Sequence, residues 1–441
     1  MRLAVHPTDG VFQRQRPAGC IQTKRRSSNW LHGCVMLLGL GLVFGELRFF
    51  TAEWLRPILL IVAPCLAGVF ASRPREAELA ILSPPGLAMA ALSVLALGNA
   101  ALGHDVFPSA FGPKHYLTVA GVIGMYLAFL AAMVIKADPK LTRTAEISML
   151  IGALSHAAAV VFLGSHILHE GTMRKTGLLT DPNIVLLYVL PPFCMALGLG
   201  TSKRWRVVLG VSGLLICAAV LRTVSRMGLV SLGVAASAFV LLQLLRPGRA
   251  TKVVQALLLI GGALSCIQLS TAVSGDIGTY LSRYRHRADL SAHRDFPLAE
   301  RLLWLDAVME QNWASVERLG GTGYRGTPGF PHNTFVDTYF LTGVPGFAII
   351  VALFIMCGAR SLKDCWAQTH SALAWAGAVA GSVTWLSLTL VLSALSMFPN
   401  KLIWYLLGFT CVAVGPRGEV GSLLTLPNMI PGGLRRRRVG R

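Results

Sequence analysis

Apolar runs recur along this chain of 441 residues, and they constrain its fold more than any other feature of the sequence. A helix of about 20 residues, rising about 1.5 Å per residue, matches a hydrocarbon layer of about 30 Å. Of the residues, 54% are hydrophobic and only 14% are charged. The sequence therefore predicts an all-α, polytopic integral membrane protein with about twelve transmembrane helices. The predicted spans are 31–45, 57–72, 79–102, 116–135, 146–168, 184–200, 206–221, 227–245, 253–273, 334–357, 372–396 and 399–415.

Basic residues alternate in frequency from one short loop to the next, and this alternation predicts the side on which each loop lies. Translocation retains lysine and arginine in the cytoplasm. We therefore assign the loops after the even-numbered spans, together with both termini, to the cytoplasmic side of a bacterial cytoplasmic membrane. The basic residues of these loops are Arg73, Arg75, Lys136, Lys140, Arg143, Lys203, Arg204, Arg206, Arg246, Arg249, Lys252, Arg360 and Lys363.

The formal net charge of +20 raises the question of a nucleic-acid partner. A soluble basic face with interleaved aromatic residues is missing from the sequence, so positive-inside topology is the simpler cause and we predict no nucleic acid. The arginine-rich tail that includes 435–438 is predicted to contact anionic membrane lipids.

The predicted spans divide the chain into five parts. A basic cytoplasmic tail at 1–30 precedes nine transmembrane helices within 31–273, and an extracytoplasmic loop occupies 274–333. Three further transmembrane helices lie within 334–415, and a second basic cytoplasmic tail occupies 416–441. A loop as long as 274–333 is typical of a functional or lid-like segment.

Arg222 and Arg226 stand in a short predicted outside turn between the seventh and eighth spans. Positive-inside statistics disfavour both residues there, and Arg226 also opens a helix, where the macrodipole disfavours a cation. A bound anion would remove both penalties. The alternative is that the two side chains extend to lipid headgroups.

The predicted outside segment before the sixth span carries two further cations, Arg174 and Lys175, close to Gly177. Glycine allows a ligand to approach the backbone closely, and a phosphate would suit the charges. Asp181-Pro182-Asn183 follows, and its pattern also suits a turn with a helix cap, which is the structural alternative.

Within the long loop, 297–309 has apolar residues at helical spacing, which predicts an amphipathic helix at the membrane surface. Trp304 suits the interface, and Arg301 is a candidate for binding a substrate. The alternative is a helix that only covers the ends of the spans, with Arg301 on its solvated face.

A glycine-rich stretch at 320–329 is followed by His332 and Asn333, directly before the tenth span. The stretch lacks the GK[ST] ending of a P-loop. His332 is a candidate catalytic residue, because a neutral imidazole can accept a proton near pH 7. Asn333 is a candidate for substrate binding, with a helix cap as its alternative role.

Three more histidines, His156, His166 and His169, lie along the fifth predicted span or directly after it, and the last two would share one helix face. No acidic or thiol ligand accompanies them, so we interpret them as polar packing between helices and predict no metal.

The motifs together resemble the O-antigen ligase and polymerase superfamily. Ser225-Arg226 opens a span, Arg301 and Trp304 lie in a long outside loop, and His332-Asn333 precedes a span that contains Gly343-Val344-Pro345-Gly346. Arg174, Gly177 and Asp181-Pro182-Asn183 match the upstream turn of that superfamily. The resemblance covers roughly 174–346, while the first five spans match only in hydropathy and topology.

The resemblance implies transfer or polymerisation of a glycan from a polyprenyl diphosphate carrier on the outer face of the membrane, without a metal or other cofactor. His332 would act as the general base or would hold the diphosphate. Arg226 would act in catalysis, and Arg174 and Arg222 would bind the substrate. The acceptor would be a glycan or a lipid, and envelope polysaccharide assembly proteins are possible partners.

Two other functions remain open at this point. A transporter or flippase for a lipid-linked or anionic solute would also have many spans and polar residues within them. A non-catalytic scaffold for envelope synthesis would tolerate the loss of His332.

Overall fold

The structure is a computed structural model that describes residues 29–44, 57–101, 115–163, 166–169, 172–179, 182–223, 225–244, 333–367, 372–393, 395 and 400–411. The ninth predicted span, residues 274–332 of the predicted loop and the tail at 416–441 lie outside the described residues. So does the tail at 1–30, apart from its last two residues. Asn333, the last residue of the predicted loop, is described.

The described residues form twelve α-helices. Seven are long and apolar enough to cross a membrane by length and composition, and three shorter apolar helices accompany them. This confirms a helical, polytopic class for the described part of the chain, while the number of twelve spans stays a prediction. The helices are α1 (Asn29–Val43), α2 (Pro57–Ser72), α3 (Pro74–Leu82), α4 (Pro84–Ala101), α5 (His115–Lys136), α6 (Pro139–Phe162), α7 (Pro182–Ala196), α8 (Lys203–Arg222), α9 (Arg226–Leu244), α10 (Thr334–Ala367), α11 (Ala372–Leu392) and α12 (Lys401–Thr410).

The third predicted span, 79–102, is broken at Ser83 into the end of α3 and the whole of α4. Proline at 84 and 85 cannot donate a backbone hydrogen bond, so the hydrogen bonding of α3 stops there. The hydroxyl of Ser83 donates to the Ala80 carbonyl at 2.6 Å and accepts from the Gly86 N–H at 3.1 Å. Ser83 therefore ends one helix and caps the next.

The fifth predicted span, 146–168, is too long at its end, because α6 stops at Phe162. Strands β1 (His166–His169) and β2 (Thr172–Lys175) then form an antiparallel hairpin in which Ile167 pairs with Arg174. The prediction that His166 and His169 share a helix face is wrong, since a strand has a period of two residues.

The most buried helix is α12, whose side chains from Leu402 to Thr410 are all buried. It packs against α5, and a side chain at Gly408 would approach the Phe129 carbonyl oxygen to 2.3 Å. Helices α8 and α9 instead expose apolar residues such as Val211 and Leu241, as helices at the edge of a membrane bundle do.

Candidate functional site

Contacts between helix ends define two ends of the bundle. We call "hairpin end" the region where α6 and α8 end, where α7 and α9 begin and where β1 and β2 lie. The "opposite end" contains the turn between α5 and α6. Arg73 at the start of α3 meets Asp138 of that turn, with Nη2 2.5 Å from Oδ2. The contacts agree with the relative sidedness that the loop charges predict.

The starts of α7 and α9 are joined by a side-chain hydrogen bond at the hairpin end. The Ser225 hydroxyl donates to Asn183 Oδ1 at 3.0 Å and accepts from the Gly228 N–H at 3.2 Å, so Ser225 also caps α9. Gly228 packs against Leu186 of α7, where an added Cβ would lie 2.8 Å from the leucine side chain. Two helix N-termini, each with a partial positive charge, are thereby held next to each other.

Arg226 is the first residue of α9, so its main chain lies at this junction, although its side chain is outside what the structure describes. Arg174 lies in β2, and its side chain is likewise not described. In the chain, Gly177 lies between the end of β2 and the start of α7, and so between the hairpin and the junction. The backbone φ at Gly177 is +62°, and a Cβ there would lie 2.9 Å from Val160 of α6. A residue with a side chain would be strained at this position.

Arg222 ends α8 and holds the end of α6. Its Nη1 donates to the Val161 carbonyl at 2.5 Å, and the side chain is partly buried. A cation at the C-terminal ends of two helices is stabilising, because these ends carry partial negative charge. Sequence reasoning did not consider this capping role. The Nε atom of Arg222 is buried without a hydrogen-bond partner among the described residues, so the guanidinium keeps an unused donor.

Lys175 is a cation of the predicted outside segment to which the resemblance assigned no role. It is partly buried at the end of β2, and its pKa is lowered by burial and, to a lesser degree, by the charge of Arg222. The sequence already indicated a role for Lys175, because Lys175, like Arg174, lies in a predicted outside segment, where the positive-inside rule disfavours a cation. Two cations that repel each other beside two helix N-termini form a region suited to an anion.

Asn333 has the capping role that was the alternative to substrate binding. Its Oδ1 accepts from the N–H groups of Phe335 at 3.0 Å and Val336 at 3.3 Å. The hydroxyl of Thr334 donates to the Leu395 carbonyl at 2.5 Å, which ties the start of α10 to the end of α11. The cap leaves the Asn333 amide nitrogen available for other contacts, so substrate binding by Asn333 stays a prediction.

The start of α12 is also tied to the hairpin half of the bundle. The amide of Asn400 donates to the Tyr188 hydroxyl of α7 at 2.5 Å. The end of α11 and the start of α12 are close in sequence. The bond from Thr334 to Leu395, the bond from Asn400 to Tyr188 and the bond from Ser225 to Asn183 therefore place the starts of α10, α7 and α9 toward one end of the bundle. His332 directly precedes α10 in the chain, but His332 and Arg301 lie outside the described residues.

Two further basic side chains at the opposite end interact with carboxylates, as Arg73 does. Lys136 of α5 is 5% exposed and interacts electrostatically with Glu146 of α6 and Asp364 of α10. Its Nζ also lies 4.4 Å from the centre of the Phe409 ring. Arg360 Nε is 3.9 Å from Asp364 Oδ1. Arg73, Lys136 and Arg360 thus interact with carboxylates, whereas among the described residues no carboxylate is found to pair with Lys175.

His156, the histidine that does lie in α6, is 1% exposed, and its Nε2 is 3.1 Å from the Val43 carbonyl oxygen. Its ring also packs on Tyr188, with the centroids 5.5 Å apart. These contacts agree with its interpretation as polar packing between helices. Within the described ranges, groups of three or more His, Cys, Asp or Glu that could hold a metal ion were not found.

A scan against models of protein families gave no match, and a search of curated proteins found no related sequence.

Proposed function

We propose that the chain is a membrane glycosyltransferase that takes a glycan from a polyprenyl diphosphate carrier and passes it to a glycan or lipid acceptor, as a ligase or a polymerase. The proposal places this reaction on the outer face of a bacterial cytoplasmic membrane. One observation carries it: two cations that repel each other, Lys175 at the end of β2 and Arg222 at the end of α8, both lie at the hairpin end, where α7 and α9 begin.

A diphosphate fits this region better than a neutral ligand. It would offset the repulsion that, together with burial, lowers the pKa of Lys175, and it would interact favourably with the charge of the Arg222 guanidinium. The N-terminus of α9 adds a favourable dipole. Fixed positive charge is most effective where negative charge develops during a reaction, which is on the departing carrier.

The reaction balances without a further reactant. The bond between the anomeric carbon and the phosphate oxygen breaks, and polyprenyl diphosphate leaves with the bonding electron pair. The acceptor oxygen bonds to the same carbon and loses its proton to a base. His332 is the proposed base, and Arg226, Arg174 and Arg222 are the proposed partners of the diphosphate, with Lys175 added to them. Arg301 and Asn333 are proposed to bind the glycan.

The test is a purified protein supplied with a polyprenyl diphosphate-linked glycan and acceptor. We expect released carrier and extended or transferred glycan in equal amounts. His332→Ala should lower the rate by about 10² to 10⁴, the usual contribution of a general base. Arg226→Ala should act in the same direction.

Arg204→Gln is the matched control, since Arg204 is an exposed cation at the start of α8, at the opposite end. It should leave the rate unchanged. Wild-type protein that releases no carrier, or full activity in both the His332 and Arg226 variants, contradicts the proposal.

A second candidate, a carrier for a lipid-linked or anionic solute, draws support from Lys136 and Glu146. Both are more than nine-tenths buried within helices, and ionisable residues inside a membrane often mark a transport path. Liposomes decide between the two functions. Flux of the lipid-linked glycan without release of the carrier supports transport, and release of the carrier supports transfer.

A further inference from the structure

Helix α10 changes direction near its start. Gly343 has φ 67° and ψ −166°, so the helix consists of a short segment at 334–342 and a long one that follows. Side chains disfavour this backbone conformation, which suits glycine. Gly346 is equally constrained, because a Cβ there would lie 1.7 Å from the Thr342 hydroxyl oxygen.

The kink leaves one carbonyl group without its helical donor. Pro345 has no N–H, so it cannot bond to the carbonyl of Leu341, four residues earlier. Leu341 is fully buried, and a buried carbonyl without a partner costs about 1–3 kcal/mol. A donor from elsewhere in the bundle is therefore needed.

Asn99 supplies that donor. It lies near the end of α4, is 5% exposed, and donates its side-chain amide to the Leu341 carbonyl. At the other end of the segment, Thr334 donates to Leu395 and Asn333 caps the helix. Segment 334–342 is thus held at its start by α11 and at its kink by α4.

We propose that Asn99 is a positioning residue for the reaction. By holding the Leu341 carbonyl, it fixes the direction of segment 334–342 and thereby the position of Asn333 at its start. This inference rests on the proposed glycosyl transfer, in which Asn333 is a site residue. Asn99 itself does not touch the substrate in this proposal.

The angle of the kink determines the position of the start of segment 334–342. At about 1.5 Å per residue the segment is about 13 Å long, so a change of about 20° in the kink moves its start by up to about 5 Å, against the restraint of the Thr334 bond to Leu395. A displacement of about 1 Å in an active site can cost about 10² in rate. Loss of the Asn99 donor should therefore reduce turnover strongly.

The first experiment measures kcat and KM for the lipid-linked donor in Asn99→Leu, which removes the amide at similar volume. We expect kcat to fall by about tenfold or more. Ser93→Ala is the control, since Ser93 is buried on the same helix and its hydroxyl donates to the Met89 carbonyl of α4 itself, at 2.9 Å. It should keep wild-type kcat. A wild-type kcat in Asn99→Leu overturns the inference.

A double variant separates positioning from stability. In Asn99→Leu with Pro345→Ala, residue 345 regains an N–H that the Leu341 carbonyl can accept, so the thermal midpoint should rise above that of Asn99→Leu alone. Turnover should stay low, because the helix straightens when the carbonyl is satisfied from within α10. Recovery of both stability and turnover would show that Asn99 has only a structural role.

The second experiment does not depend on activity. Spin labels at Val336→Cys, near the start of α10, and at exposed Phe162→Cys, at the end of α6, report the position of the segment in a chain without native cysteines. Asn99→Leu should shift this distance by several ångströms, and Ser93→Ala should not. An inactive wild type with a shifted distance refutes the proposed function alone, whereas an unshifted distance refutes the role of Asn99.

Discussion

At the opposite end of the bundle, Arg73, Arg360 and Lys136 face carboxylates, whereas at the hairpin end Lys175 lies beside a second cation, Arg222. Both ends are rich in basic residues, so composition alone does not separate them. The difference teaches that a cation with a carboxylate partner is explained by the fold. Lys175 and Arg222 show no ion pair with a carboxylate among the described residues, and under the proposed function their partner is an anion that comes from outside the chain.

The largest effect is expected from breaking the buried charges of the opposite end. Lys136→Met leaves Glu146 buried with only the weaker interaction of Arg143 and should lower the free energy of unfolding by about 3–5 kcal/mol. Lys136→Met with Glu146→Leu should recover most of this loss, because a buried pair can be replaced by apolar residues at little cost. Equilibrium unfolding in mixed micelles, followed by tryptophan fluorescence, measures both changes. Additive losses in the double variant would argue against pairing.

A smaller effect is expected at Asp138, which has two roles. Its Oδ2 binds Arg73, and its Oδ1 accepts from the Lys140 N–H at 2.9 Å to cap α6. Asp138→Asn keeps a capping oxygen and removes the charge, so it should cost about 1 kcal/mol. Asp138→Ala removes the cap as well and should cost about 1 kcal/mol more. Equal stabilities of the two variants would mean that the cap contributes nothing.

The smallest effect is expected at the hairpin end and has the opposite sign. The folded-state pKa of Lys175 is lowered, so its protonated form disfavours folding. This penalty is present in full below the folded pKa and disappears as the pH rises above the usual lysine value of 10.5. Lys175→Gln should therefore stabilise the protein at neutral pH, by about 0.5 kcal/mol or less for a partly exposed group.

The same comparison predicts a response to anions. Inorganic pyrophosphate should raise the pKa of Lys175, because a bound anion favours the charged form. Carbon-13 methylation of lysines followed by NMR titration measures the shift, and Arg222→Gln should raise the pKa without any anion. Lysines at the opposite end, such as exposed Lys203, serve as the internal control. An unchanged Lys175 pKa in saturating pyrophosphate would remove the distinction between the two ends.

The sequence predicted the helical class well, because hydrophobic length and the positive-inside rule depend on the solvent rather than on neighbouring helices. It could not predict the hairpin at 166–175, since an apolar strand and the end of an apolar helix have the same composition. The break at Ser83 had a local signal in Pro84 and Pro85, which hydropathy alone ignores.

The candidate site was predicted in part. Arg222, Arg226 and Arg174 were chosen by sidedness, and the structure places Arg222 and the main chains of Arg226 and Arg174 at one end of the bundle. The capping of α6 by Arg222 depends on a contact between residues 61 positions apart, which no local pattern reveals. Asn99 lies 242 positions from Leu341, and its role follows only once the kink at Gly343 is known.

Contacts at both ends of α8 give the helix a fixed phase. At its start the Arg143 guanidinium of α6 lies 5.9 Å from the centre of the Trp205 ring, and at its end Arg222 donates to the Val161 carbonyl of α6, so the number of residues between Trp205 and Arg222 sets an angle as well as a length. One residue inserted between them would rotate the end of α8 by about 100° relative to its start and shift it by about 1.5 Å, so the two contacts could no longer form together. Seven inserted residues restore the angle to within about 20° but add about 10 Å of length. Substitutions on the lipid-facing side of α8 should therefore be tolerated more readily than insertions or deletions within the helix.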